Sequence, residues 1–116
     1  VVAGSGALRD HANPVGRADP LESAFLLVSW SGVDAAAAYE AVSTQARAMM
    51  GLPEVRVEAG FPAELLAVRG DGIAGVLSVG YSRVVIHQGR VVSRTSAVRE
   101  FSDTVCLDLP RQWRAR

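Results

Sequence analysis

The chain has 116 residues, of which 49% are hydrophobic and 21% are charged, and its twelve basic and twelve acidic residues give a net charge of zero. This length is sufficient for one domain with its own core, and the composition excludes the intrinsically disordered, collagen-like and disulfide-rich classes. Because a chain without net positive charge is a poor nonspecific nucleic-acid binder, no nucleic-acid partner is predicted.

The charges are distributed unevenly along the chain. All twelve basic residues are arginines, and alanine and valine are abundant, which is typical of a GC-rich bacterial genome. Residues 1–68 contain four arginines and eight acidic residues, a net charge of −4, whereas residues 69–116 contain eight arginines and four acidic residues, a net charge of +4. We therefore expect a dipolar molecule whose unlike surfaces attract one another.

The single cysteine, Cys106, cannot form an internal disulfide, so cytoplasm is the default expectation for the compartment. No apolar run approaches the roughly 18 residues of a membrane span, so none is predicted. Because the sequence begins at Val1, a signal or anchor removed before that residue stays an alternative. With one cysteine and two histidines, neither a metal site nor a cofactor is predicted.

The predicted organisation is an irregular N-terminal arm at residues 1–22, a single α+β domain at residues 23–110 and a basic C-terminal tail at residues 111–116. Glycines and prolines with few large apolar residues indicate the arm. The apolar run at residues 24–30 then predicts a central strand, because such a strand is buried on both faces.

A long helix is predicted from Ala35 onward, where apolar residues recur every three or four positions. Ser31 and Asp34 form a capping-box pattern before it. Gly51 predicts the end of the helix, because glycine accepts the left-handed conformation that follows a last turn, and Pro53 cannot continue the helix.

The remainder of the chain is rich in β-branched residues and predicts strands. They are placed at residues 55–58, 65–68, 76–79, 83–87, 90–95 and 104–109. The predicted fold is therefore α+β, with one long helix packed on a curled, mainly antiparallel sheet of five to six strands in β-α-β-β-β-β order.

The segment 70–75 matches the dinucleotide-binding pattern G-x-G-x-x-G. The residues after it are β-branched and interrupted by Gly80, which is unfavourable for the helix that such a site requires. We therefore interpret the segment as a glycine-rich hairpin turn.

A second hairpin carries the candidate binding residues. A two-residue turn at Gln88-Gly89 makes Arg83 face Arg94 and places four basic side chains on one face around Val85 and Val92. These four candidates are Arg83, His87, Arg90 and Arg94. The alternative is a solvated sheet face whose arginines pair with acidic residues of the N-terminal half.

No catalytic cluster is recognised, so the sequence favours a non-catalytic interaction or assembly module that binds itself or another protein through an exposed sheet face or strand edge. The alternative is a small-molecule-binding domain or small enzyme in which the arginines hold an anionic ligand in a pocket between helix and sheet. A pocket of several hundred Å³ that is walled by the sheet and contains one of these arginines would favour the alternative.

Overall fold

The computed structural model describes residues 1–6, 8–98 and 100–102. In chain order, its elements are helices α1 (Pro20–Ser31), α2 (Ala35–Val42) and α3 (Thr44–Met49), strand β1 (Leu65–Val68), helix α4 (Ile73–Val79), and strands β2 (Arg83–His87) and β3 (Arg90–Thr95). The chain divides into two compact units, Val1–Glu54 with α1 to α3, and Val55–Arg116 with the sheet and α4. The predicted α+β class with an antiparallel sheet is confirmed.

The strand predicted at residues 24–30 is wrong, because helix α1 spans that segment. The carboxylate of Asp19 accepts a hydrogen bond from the amide two residues later at 3.1 Å, and Pro20 occupies the first helical position, where its missing N–H costs no bond. Gly32, with a φ of 65°, ends the helix. An apolar run with Val28 as its one β-branched residue is compatible with a helix as well as with a strand. The signals at the two ends of the segment therefore favour the helix.

The predicted long helix is also wrong, because Ser43 divides it into α2 and α3. Asp34, and not Ser31, caps α2: one carboxylate oxygen accepts bonds from two amides of the first turn at 3.1 and 3.3 Å. Ser43 has φ −122° and ψ −95°, and its hydroxyl donates to the Tyr39 carbonyl at 2.7 Å. The side chain therefore satisfies a carbonyl that a continuous helix would bond through its backbone.

The end of α3 confirms the prediction for Gly51, which has a φ of 69°. The Gly51 amide donates to the Ala48 carbonyl at 3.1 Å, and the Leu52 amide donates to the Arg47 carbonyl at 3.0 Å. These two bonds form a Schellman motif, which satisfies the last carbonyls of the helix. The Arg47 guanidinium also donates to the Pro53 carbonyl, at 3.1 and 3.3 Å.

The first unit has a small core, built where α1 packs against α2. Its buried apolar residues are Leu21, Ala24, Ala38 and Ala41. Alanines at this contact allow the helix backbones to approach closely, but they bury little area. Larger apolar side chains of α1 remain accessible, most of all Trp30, which is 85% exposed.

The second unit contains a sheet of order β1-β2-β3 in which both pairs are antiparallel. The predicted strands at residues 65–68, 83–87 and 90–95 are confirmed with their bounds. The predicted sheet of five to six strands is wrong, since the part of the chain that the structure describes forms a three-stranded open sheet and residues 55–58 form no strand. The strand predicted at residues 104–109 lies outside the described residues.

The strand predicted at residues 76–79 and the hairpin turn predicted at residues 70–75 are wrong, because helix α4 spans Ile73–Val79 and leaves only residues 70–72 of the glycine-rich segment before it. Leu77 is its buried residue, at 8% exposure, and burial of this side chain outweighs the weak β preference of its neighbours. The helix has seven residues, and β2 returns antiparallel to β1. This arrangement differs from the parallel β-α-β unit of a dinucleotide site.

The two-residue turn of the β2–β3 hairpin is confirmed. Gln88 and Gly89 both have positive φ, at 50° and 76°, as a type I′ turn requires. This turn matches the twist of the strands that it joins. It therefore fixes the pairing of His87 with Arg90 immediately beside it.

A bulge in β3 changes the register further from the turn. Ile86 faces Val91 as the turn requires, but Val85 faces Ser93. Val92 is thus an extra residue opposite the middle strand, as in a β-bulge. Every pair beyond this point is shifted by one residue relative to the predicted register.

Candidate functional site

The bulge separates the four basic residues that were expected on one face. His87 faces Arg90 beside the turn, but Arg94 faces Val84 instead of Arg83. Opposed residues share a face and successive residues alternate, so Arg94 lies on the face opposite to that of Arg83. The predicted Arg83–Arg94 pair is wrong, and the binding role of the four residues stays a prediction.

Glu64 holds the turn end of the hairpin, a contact that the sequence patterns did not indicate. Its Oε2 lies 2.6 Å from Nδ1 of His87, and its Oε1 accepts a hydrogen bond from the Gln88 amide at 3.3 Å. The Gly89 amide donates to the Ala63 carbonyl at 3.1 Å. His87 therefore has a structural contact, and the carboxylate makes this end of the sheet less favourable for an anion.

A cleft of about 390 Å³ lies at the end of the sheet away from the turn. Residues 67–69, 82–84 and 94–96 line it. They form three successive rows across the sheet, because Val68 pairs with Arg83 and Arg83 pairs with Thr95. The cleft thus contains two of the four sequence candidates, Arg83 and Arg94, and adds Arg69.

Arg69 and Arg94 lie on the same face at this end of the sheet. Val84 faces Ala67 on one side and Arg94 on the other. Arg69 lies two residues beyond Ala67, and its amide continues the ladder by donating to the Ser82 carbonyl at 3.0 Å. Because residues two apart share a face of a strand, Arg69 and Arg94 lie on one face of the sheet, on the two sides of the middle strand.

Arg83 occupies a different position in the cleft. It lies in the row of Val68 and Thr95, and its Nε donates to the Gly80 carbonyl at 2.8 Å. Its side chain is half-buried. Arg83 therefore contributes positive charge to the cleft while it fixes the connection between α4 and β2.

The charges in the cleft favour an anion. Three arginines line it, and no acidic residue is among the described residues of its lining. The side chains of Arg69 and Arg94 are exposed and form no ion pair with any residue in the described ranges. Ser82 and Ser96 add hydroxyl groups to the lining. Guanidinium and hydroxyl donors together suit the oxygens of a phosphate or carboxylate.

Arg69 was missed as a site residue because its role depends on the pairing of β1 with β2. The sequence shows an arginine before a glycine-rich segment, which is an ordinary position for a solvated charge. A local signal was nevertheless present, because Arg69 extends the correctly predicted strand that ends at Val68.

Other kinds of site find less support in the structure. Within residues 1–6, 8–98 and 100–102, no three histidine, cysteine or acidic side chains cluster as metal ligands would. The described helices are all too short or too polar to cross a membrane.

Comparisons with known proteins yield no relative. The sequence matches no protein-family model, and no curated protein or solved structure shows significant similarity to it.

Proposed function

We propose that the chain binds a small oxyanion, a phosphate or a carboxylate group, in the cleft at the open end of the sheet. The observation that carries the proposal is the placement of Arg69 and Arg94 on one sheet face. They line a cleft of about 390 Å³, and the part of its lining that the structure describes contains no acidic residue. The cleft is walled by the sheet and contains the candidates Arg83 and Arg94, which favours ligand binding over assembly. It differs from the expected pocket between helix and sheet, because none of the described residues that line it belongs to a helix.

The spacing of the strands supports a shared ligand. Arg69 follows β1 and Arg94 belongs to β3, so two inter-strand distances, about 9.6 Å, separate their strands. Arginine side chains that extend from both sides can meet on one oxyanion above β2, where each donates two hydrogen bonds. Without a ligand, these exposed like charges repel each other, and an anion removes that repulsion.

Calorimetric titration with inorganic phosphate tests the proposal. We expect Arg69→Gln and Arg94→Gln each to weaken binding at least about tenfold, because each removes charge-assisted hydrogen bonds. Arg90→Gln is the matched control, since it removes the same charge from the turn end of the same hairpin. Equal losses in all three variants would indicate nonspecific attraction, and unchanged binding in the first two would refute the site.

Assembly remains a second candidate function, supported by the edge of the sheet. Strand β3 is at the edge of the described sheet, and all six of its residues are exposed. An exposed edge offers unpaired backbone groups to another strand. Light scattering on the purified chain tests this candidate: a dimer supports it, and a monomer at high concentration excludes self-association.

A further inference from the structure

The sheet face that carries Arg69 and Arg94 continues toward the turn as an apolar surface. The next row on this face consists of Leu65, Ile86 and Val91, which pair across the three strands. Val91 is 54% exposed, and the other two are half-buried. A strip of accessible apolar surface therefore adjoins the two guanidinium groups.

A second row of this face lies between Arg69 and the row of Leu65, Ile86 and Val91, and Arg94 is its one polar residue. Ala67 and Val84 occupy the same row as Arg94. No acidic residue occurs among the described members of this face, so neither charge repulsion nor an exposed carboxylate interrupts the path from the arginines to Ile86. A surface with cations at one end and apolar groups beyond them complements a molecule of the same polarity.

We propose that the ligand of the cleft is an amphiphilic anion, a single alkyl chain with a phosphate or carboxylate head group. This inference rests on the proposed function. The head group lies between Arg69 and Arg94, and the alkyl chain extends over Val84 to Ile86 and Val91. Two residues along a strand span about 6.8 Å, a distance that a chain of several methylene groups covers.

The chemistry of the two parts is complementary. The guanidinium groups hold the head group by charge-assisted hydrogen bonds. Each methylene group that leaves water for the apolar strip adds favourable binding free energy, and this gain is absent for inorganic phosphate. We therefore expect neither the head group alone nor the alkyl chain alone to bind as tightly as the complete amphiphile.

Three probes in calorimetric titrations separate these contributions: inorganic phosphate, octanol, and octyl phosphate below its micelle concentration. We expect octyl phosphate to bind at least about tenfold more tightly than inorganic phosphate, and octanol to bind more weakly than octyl phosphate by a similar factor. Val91→Ser should reduce the advantage of octyl phosphate and leave the affinity for inorganic phosphate unchanged. Val57→Ser is the matched control, because Val57 is 88% exposed and lies outside the sheet.

The outcomes distinguish the inference from the proposed function. Equal affinities for octyl and inorganic phosphate would overturn the amphiphile and retain the anion site, whereas binding of neither would overturn both. Light scattering on the same samples tests whether a second copy of the chain, instead of an amphiphile, covers this face. A dimer that Val91→Ser dissociates would assign the apolar strip to a second copy of the chain and overturn the inference.

Discussion

Two arginines of the same hairpin have different environments. Arg83 is half-buried and donates to the Gly80 carbonyl, whereas Arg94 is exposed on the opposite face. We therefore expect Arg83 to contribute to folding stability, whereas the proposed contact with a ligand falls to Arg94. From residue type and spacing alone, the two arginines are expected to face each other on one side of the sheet. The bulge at Val92 places them on opposite sides.

This difference predicts the effects of alanine substitutions on folding. We expect Arg83→Ala to destabilise by about 1 kcal/mol through the lost hydrogen bond, and Arg94→Ala to change stability by less than about 0.5 kcal/mol. The loss of stability in the double variant should equal the sum of the losses in the two single variants, because the two side chains are on opposite faces of the sheet. Urea denaturation provides the four free energies. A coupling above about 0.5 kcal/mol would show that the side chains interact after all.

Gly51 has a similarly specific role at the end of α3. Gly51→Val should destabilise the chain by more than about 1 kcal/mol, because a β-branched residue is strained at a φ of 69°. Gly4→Val is the control, since Gly4 has no positive φ and open space where a side chain would lie. Equal denaturation midpoints for the two variants would contradict the left-handed helix end.

Among the elements, the β2–β3 turn offers a stabilising change. Asparagine adopts positive φ more readily than glutamine, and Asn-Gly is the preferred pair in type I′ turns. Gln88→Asn should therefore raise stability by about 0.5 kcal/mol, with the bond from the backbone amide to Glu64 retained. Gln45→Asn in α3 is the matched control and should be neutral or destabilising, because asparagine has the lower helix propensity. A stability loss at position 88 would refute the turn type.

Elements with clear local signals were predictable from the sequence. Strands β2 and β3 were found because β-branched residues are concentrated in short segments next to glycines, and β1 was found because a short apolar run precedes Gly70. The end at Gly51 was found because this glycine is followed closely by Pro53. Helix α1 was missed because an apolar run has no visible period. Asp19, Pro20 and Glu22 nevertheless supplied a helix-start signal: an N-cap, a proline at the first position and an acid in the first turn.

The site was less predictable than the strands. A bulge inserts one residue without a distinct sequence signal in this valine-rich strand, yet it reverses the face of Arg94. Arg69 is close to the hairpin only because β1 pairs with β2, a non-local contact. The sequence therefore predicted a binding role for arginines of this hairpin, and the pairing of the strands determines which of them line the same cleft.

At the scale of the whole molecule, the opposite charges of the two parts of the sequence predict a salt effect. If copies associate through these charges, raising salt from about 20 to about 500 mM should shift the population toward the monomer, because salt screens exposed charges. Sedimentation velocity at both concentrations measures the population. Association that is insensitive to salt would instead indicate apolar or strand-edge contacts, such as the exposed edge of β3.

We propose that an anion binds between Arg69 and Arg94. The most direct measurement is a phosphate titration followed by the amide signals of ¹⁵N-labelled protein. We expect the largest shifts at residues 82–84 and 94–96, and small shifts beside the turn at His87 and Arg90. Shifts that are strongest at the turn end, or absent throughout, would show that no anion binds between these two arginines.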